Sequence, residues 1–161
     1  MYSNSRSNYK CGTAFFNIVE EDILNNEKIK VVVLESDIDL YNDIATAMVN
    51  KLKENNAKGE ITSFILPVGP RGHYKRFARM CNAERINCKN LVTINMDEYL
   101  DDDRSIIPLN HPMSFHSYMK ENLFELLDPS LGFSYENCYF ADPDDLLKIE
   151  RVIRELSKID I

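Results

Sequence analysis

The chain has 161 residues, 44% of them hydrophobic and 10% aromatic, and carries a formal net charge of −7. That length and apolar content suit one globular domain with a sizeable core and exclude a disordered chain. The acidic balance, with no cluster of Lys and Arg, lacks the electrostatic footprint of a nucleic-acid binder, so phosphates on a small ligand must be met by local groups.

Residues 1–29 read as an N-terminal extension, weakly helical from Ala14 to Leu24 and ended by Asn25-Asn26. The domain itself is expected over residues 30–161. Its first strand falls on Lys30 to Leu34, where Val31-Val32-Val33-Leu34 is β-branched and continuous, as buried parallel strands tend to be. Asp37 or Asp39 would cap the following helix, whose apolar face is Leu40, Tyr41, Ile44, Met48 and Leu52 and whose end is marked by Gly59. Ile61 to Pro67 is the second strand. Tyr74, Phe77, Ala78 and Cys81 then repeat at helical spacing, and Leu91-Val92-Thr93-Ile94 is the third strand. Strand and helix alternate, which predicts an α/β fold: right-handed crossovers and a mainly parallel sheet with helices on both faces.

Beyond Tyr99, Asp101-Asp102-Asp103 reads as a solvated turn, because adjacent carboxylates point in different directions and no His or Cys is regularly spaced with them. Ser114 is placed to cap a helix carrying Phe115, Tyr118, Leu123 and Leu126. Asp142-Pro143 has the order of cap and first-turn proline, and predicts a last helix with Leu146, Ile149, Ile153 and Leu156 on its buried stripe. Lys158-Ile159-Asp160-Ile161 reads as the first half of a further strand, so the domain is expected to be truncated within it. Cys11, Cys81, Cys88 and Cys138 show no Cys-x-x-Cys spacing and are expected to be reduced packing residues. No apolar stretch approaches 18 residues, and the opening Met1-Tyr2-Ser3-Asn4-Ser5-Arg6 has no signal-peptide core, so no membrane contact and a cytoplasmic location are expected.

Two segments at expected strand ends carry the chemistry. Val68-Gly69-Pro70-Arg71-Gly72 precedes a helix: two glycines allow close backbone approach, the helix N-terminus favours an anion, and the Arg71 fork matches phosphate. The same pattern is also ordinary turn chemistry. His73 and Lys75 follow; a His after a turn is ordinarily a surface or capping residue, and it receives no role. Asp97 stands just past the third strand, where parallel sheets bind ligands. A carboxylate there, partly desolvated by a substrate, is suited to general-base work, although Asp after a strand is also common turn usage. Asp97 and Glu98 are adjacent and point to opposite sides of an extended segment, so only one of them reaches a cleft.

Asn95-Met96-Asp97-Glu98-Tyr99, followed by His111-Pro112-Met113-Ser114-Phe115-His116-Ser117-Tyr118-Met119, resembles the hallmark of the glucosamine-6-phosphate deaminase/isomerase family. The resemblance runs from about Val31 to the last residue. It implies a Rossmann-like α/β domain acting on an amino-sugar phosphate, with Asp97 as the base that moves a proton between C2 and C1, and with ammonia lost as fructose 6-phosphate forms. It implies substrate binding at Val68, Gly69, Pro70, Arg71, Gly72 and Glu98, no metal or redox cofactor, and a homo-oligomer. The family's Pro-Thr-Gly-Gly-Thr-Pro loop is replaced here by Pro-Val-Gly-Pro, and Arg71 is the candidate to stand in for a lost hydroxyl donor. The family's ring-opening segment, G-H-I-A-F-N-E, has no counterpart in this sequence, so the 161 residues are expected to be a fragment of feeble activity alone. Two other readings stay open: a 6-phosphogluconolactonase-like hydrolase, whose usual D-E-R conflicts with Tyr99, and a non-catalytic sugar-phosphate-binding module.

Overall fold

The computed structural model describes residues 30–145 and 147–157. The expected helix at Ala14 to Leu24, the side chain of Leu146 and the expected strand at Lys158 to Ile161 lie outside the described residues. The chain divides into Met1–Glu35 and Ser36–Ile161, and everything below except the 30–35 segment belongs to the second unit.

In chain order this unit contains α1 (Asp37–Lys58), β1 (Thr62–Leu66), α2 (His73–Glu84), β2 (Leu91–Asn95), α3 (Phe115–Asn122), β3 (Cys138–Tyr139) and α4 (Lys148–Ser157). Short 3-10 turns at Phe124–Leu126, Pro129–Leu131 and Tyr135–Asn137 connect α3 to β3. The strands lie in the order β1-β2-β3, and both pairs are parallel. This is the alternating α/β architecture that the sequence pattern predicts.

Local chemistry sets the helix ends. Ser36, rather than Asp37 or Asp39, caps α1: its hydroxyl accepts from the Asp39 amide at 3.2 Å, while the two aspartates sit in the first turn, where negative charge favours the helix dipole. Gly59 ends α1 with φ +71°, the left-handed conformation that glycine adopts without penalty. Ser114 caps α3 by accepting from the Ser117 amide at 3.1 Å, as expected, but α3 ends at Asn122, so Leu123 and Leu126 lie beyond the helix expected to carry them.

Register decides which side chains enter the core. Thr62, Phe64 and Leu66 pair with Leu91, Thr93 and Asn95, so these six share one sheet face. That face meets Ala45, Val49 and Leu52 of α1, Tyr74, Phe77 and Cys81 of α2, and Met119 just before the end of α3, all buried in one cluster. Phe64 and Phe77 meet edge to face at 6.2 Å. Full burial of one such side chain stabilises by about 1.5–3 kcal/mol, so this cluster is what fixes the strand ends relative to α2 and α3. On the opposite face Val92 and Ile94 of β2 are buried, whereas Ile65 of the edge strand is 55% exposed. Cys81 and Cys88 are buried free thiols and Cys138 is half-buried and free, in keeping with their expected packing role.

Three expectations are corrected. Residues 31–34 form no strand, and Val32 and Val33 are each 61% exposed; β-branched composition supplies propensity, but a strand exists only through a ladder with a neighbour. Asp142-Pro143 opens a turn and not the last helix: Asp142 Oδ1 accepts from the Asp144 amide at 3.1 Å, and its carbonyl accepts from Asp145 at 3.2 Å. An aspartate satisfies a turn as readily as a helix start, and α4 begins only at Lys148. Finally, Ile149 and Ile153 of α4 are half-buried, so the helix presents no fully buried stripe among the described residues.

Candidate active site at the ends of two parallel strands

The carboxyl ends of β1 and β2 are neighbours because the register ends on Leu66 opposite Asn95. One more rung follows, the Met96 amide donating to the Leu66 carbonyl at 3.2 Å. Adjacent strands run about 4.8 Å apart, so Pro67-Val68 and Met96-Asp97 leave the sheet side by side.

The first exit is held by packing. Val68 is buried in the core, so its side chain is closed to a ligand and only its backbone can contribute. The Tyr74 hydroxyl donates to the Pro67 carbonyl. Burial, then the neighbouring Tyr118 and Asp97, push the Tyr74 phenol upward, which keeps it a neutral donor. Gly72 is the last residue before α2, and the Tyr41 ring lies so close that a Cβ on Gly72 would sit 2.1 Å from it. Gly69, by contrast, faces open space. Gly69, Pro70 and Arg71 are exposed between these fixed points.

The loop is electrostatically suited to an anion. The first turn of α2 holds no acidic residue, and Arg71, Lys75 and Arg76 are close along the chain. Arg76 is engaged: its Nε donates to Asn42 Oδ1 at 2.8 Å and its Nη1 to the Gly72 carbonyl at 2.6 Å. The Arg71 guanidinium lies 4.9 Å from the centre of the Tyr118 ring and pairs with no carboxylate among the described residues. His73 departs from the surface placement its position suggests. It is 4% exposed, its ring lies 4.0 Å from that of Tyr74, its Nδ1 finds no partner among the described residues, and burial pushes its pKa down.

The second exit is held by a carboxylate. Glu98 Oε1 accepts from the Tyr99 amide and the Phe115 amide, each at 2.9 Å. Its Oε2 accepts from the His116 amide at 2.7 Å and from the Ser114 hydroxyl at 3.2 Å. Glu98 thus closes the start of α3, where free amides and the positive dipole end both favour negative charge. Tyr99 packs edge to face on Phe115 at 4.8 Å, reinforcing the same junction. Asp97, with no such engagement among the described residues, is exposed and lines a cavity of about 250 Å³ together with Glu98, Leu100, Ile106, Pro143 and Ile149, so both carboxylates of the pair reach it, contrary to the expectation that only one would. The 68–72 loop does not line this cavity; Asp97 does, and its charge is also felt at Tyr74, whose hydroxyl bonds the Pro67 carbonyl. Asp101 and Asp103 fold onto their own loop, Asp103 Oδ1 accepting from the Ser105 amide and hydroxyl at 2.9 and 2.6 Å.

Sequence reasoning missed Tyr41 and Tyr118 as neighbours of the loop. Tyr118 occupies an aromatic position of the quoted motif, which is a usable signal; Tyr41 carries none beyond its place in a helical repeat.

No family model matches the chain. It is 39% identical over 127 residues to the glucosamine-6-phosphate deaminase of Fusobacterium nucleatum, covering 73% of this chain and 43% of that protein. It is 29% identical over 141 residues to the enzyme of that name from Caenorhabditis elegans, with 83% and 49% covered, and 26% identical over 136 residues to that of Mycoplasma mycoides, with 83% and 51% covered. Among solved structures, a monomeric glucosamine-6-phosphate deaminase of the NagB superfamily superposes with a TM-score of 0.66 at 22% identity, over 80% of this chain and 52% of that one, which establishes the shared fold. The chain spans about half the length of the curated relatives it matches, and it is a divergent member of the glucosamine-6-phosphate deaminase family.

Proposed function

We propose that this chain carries the phosphate-binding and proton-transfer part of an amino-sugar phosphate isomerase/deaminase site, acting on glucosamine 6-phosphate. Asp97 is the base: it takes the proton from C2 of the opened sugar and returns it to C1. The C2 carbon becomes an imine, and addition of water releases ammonia and leaves fructose 6-phosphate. The backbone of Val68 to Gly72, the α2 N-terminus and Arg71 meet the phosphate. Glu98, first expected among the substrate contacts, acts in this reading through the loop it holds.

The observation that carries the reading is the strand register, which supports a free carboxylate and a cationic, glycine-bearing turn at neighbouring strand ends. A base is useful only when the reacting carbon is delivered to it in a fixed geometry, and phosphate binding next door supplies that geometry. The relatives named as glucosamine-6-phosphate deaminases support the choice of substrate.

Calorimetric titration of the chain with glucosamine 6-phosphate tests the reading. Saturable binding that weakens in Arg71→Ala and persists in Asp97→Asn is expected. A folded chain with no affinity for the sugar phosphate would sink it.

A further inference from the structure

We infer that Tyr118 is a positioning residue for the anion loop, its ring holding the Arg71 guanidinium where a phosphate is met. The inference rests on the reading of Val68 to Gly72 as the phosphate loop. An exposed arginine on a turn has many rotamers, and only a few aim its donors at one point. Here the guanidinium carbon lies 4.9 Å from the Tyr118 ring centre, inside the reach of about 6 Å at which a cation is attracted to an aromatic face. A cation–π contact of this kind spends no hydrogen bond of the guanidinium and leaves its N–H donors open for an oxyanion. An ion pair would have occupied those same donors, and none is made with the described residues.

Tyr118 is itself well fixed. It precedes the fully buried Met119 on α3, a helix whose start is tied down by the Ser114 cap and the Glu98 carboxylate. Its hydroxyl donates to the Arg71 carbonyl at 3.4 Å, a long bond that adds little beside the ring. Tyr41 packs against Gly72. The two tyrosines, one from α1 and one from α3, both meet the turn that bears Arg71.

The test is a double-mutant cycle on the 161-residue chain, read as the Kd for glucosamine 6-phosphate by calorimetry. Tyr118→Leu is expected to raise Kd about two- to fivefold, the span of a solvent-accessible cation–π contact. Tyr118→Phe, which keeps the ring, is expected to stay within about twofold of the parent. In an Arg71→Ala background, Tyr118→Leu is expected to cost nothing further. Unchanged affinity in Tyr118→Leu overturns the inference. So does a loss that adds in full to that of Arg71→Ala, since Tyr118 would then act on the ligand or on the fold and not through Arg71. If Arg71→Ala binds as tightly as the parent, or the parent does not bind, the phosphate-loop reading itself has failed.

Discussion

The two strand exits that meet at the site are built by opposite means. The 67–72 turn is short and is fixed by packing: Val68 in the core, Tyr41 on Gly72, the Arg71 guanidinium on Tyr118. The 96–114 loop is long, and its two ends are joined through one carboxylate, Glu98, on which two α3 amides, the Tyr99 amide and a serine hydroxyl converge. Packing resists added volume and ignores charge. A carboxylate clamp tolerates volume and fails when its charge is removed. The two exits should therefore break under different substitutions, and replacing Asp97, the base of the proposed reading, should leave both intact.

The largest effect is expected at Asp97, if the proposed reading holds. Asp97→Asn keeps the size of the side chain and removes its proton affinity, so the feeble ammonia release expected of the 161 residues should fall by about 10²- to 10⁴-fold, the usual span for a lost general base. The Kd for glucosamine 6-phosphate should change little, because the proposed reading has the phosphate met at the other exit. A large rise in Kd with unaltered turnover would assign Asp97 to binding instead.

Glu98→Ala should come next. It strands the α3 amides it now accepts from, at a cost of about 1.5–3 kcal/mol for hydrogen bonds to a charged group. Hydrogen exchange should speed at Phe115 and His116 and leave Gly72 unaffected. Equal acceleration at both exits would show that they are not separately held.

Gly72→Ala probes the packed exit. A Cβ 2.1 Å from the Tyr41 ring forces that ring to move, and overpacking of this kind costs about 1–3 kcal/mol. Gly69→Ala faces open space and should leave the denaturation midpoint almost unchanged. The contrast between the two glycines, measured by urea unfolding, is sharper than either value.

The smallest expected effect is a pH dependence. Burial lowers the pKa of His73 and of His116 from the ordinary value of 6.5. The unfolded chain then binds more protons than the folded one just below that value. The stability tied to these neutral rings is fully present above pH 6.5 and is lost as pH falls from there through the folded pKa values. The urea midpoint should drop on acidification below pH 6.5, and His73→Gln should flatten part of that slope. A slope identical in the variant would place the proton uptake elsewhere.

Much of the fold was legible because its signals are local. Leu91 to Ile94 is a continuous apolar run, Gly59 and Ser114 mark helix ends by their own chemistry, and Asp97 follows from the strand before it. What was not legible depends on partners distant in sequence or on chemistry shared by two structures. Two-residue β3 has no pattern of its own and exists through pairing with Thr93 and Ile94. Asp142-Pro143 reads equally as a helix start or a turn. Val31 to Leu34 has the composition of a strand without the ladder. His73 looks exposed after a turn and is buried in the folded chain. The Tyr118–Arg71 contact spans 47 residues, and the motif that marks Tyr118 does not name Arg71 as its partner.

The central claim is that the two strand ends form one ligand site, and amide chemical-shift mapping during titration with glucosamine 6-phosphate tests it most directly. The account predicts that Gly69, Arg71, Gly72 and Asp97 shift together and yield one Kd. Shifts confined to one exit, or two exits titrating with different Kd values, would contradict it.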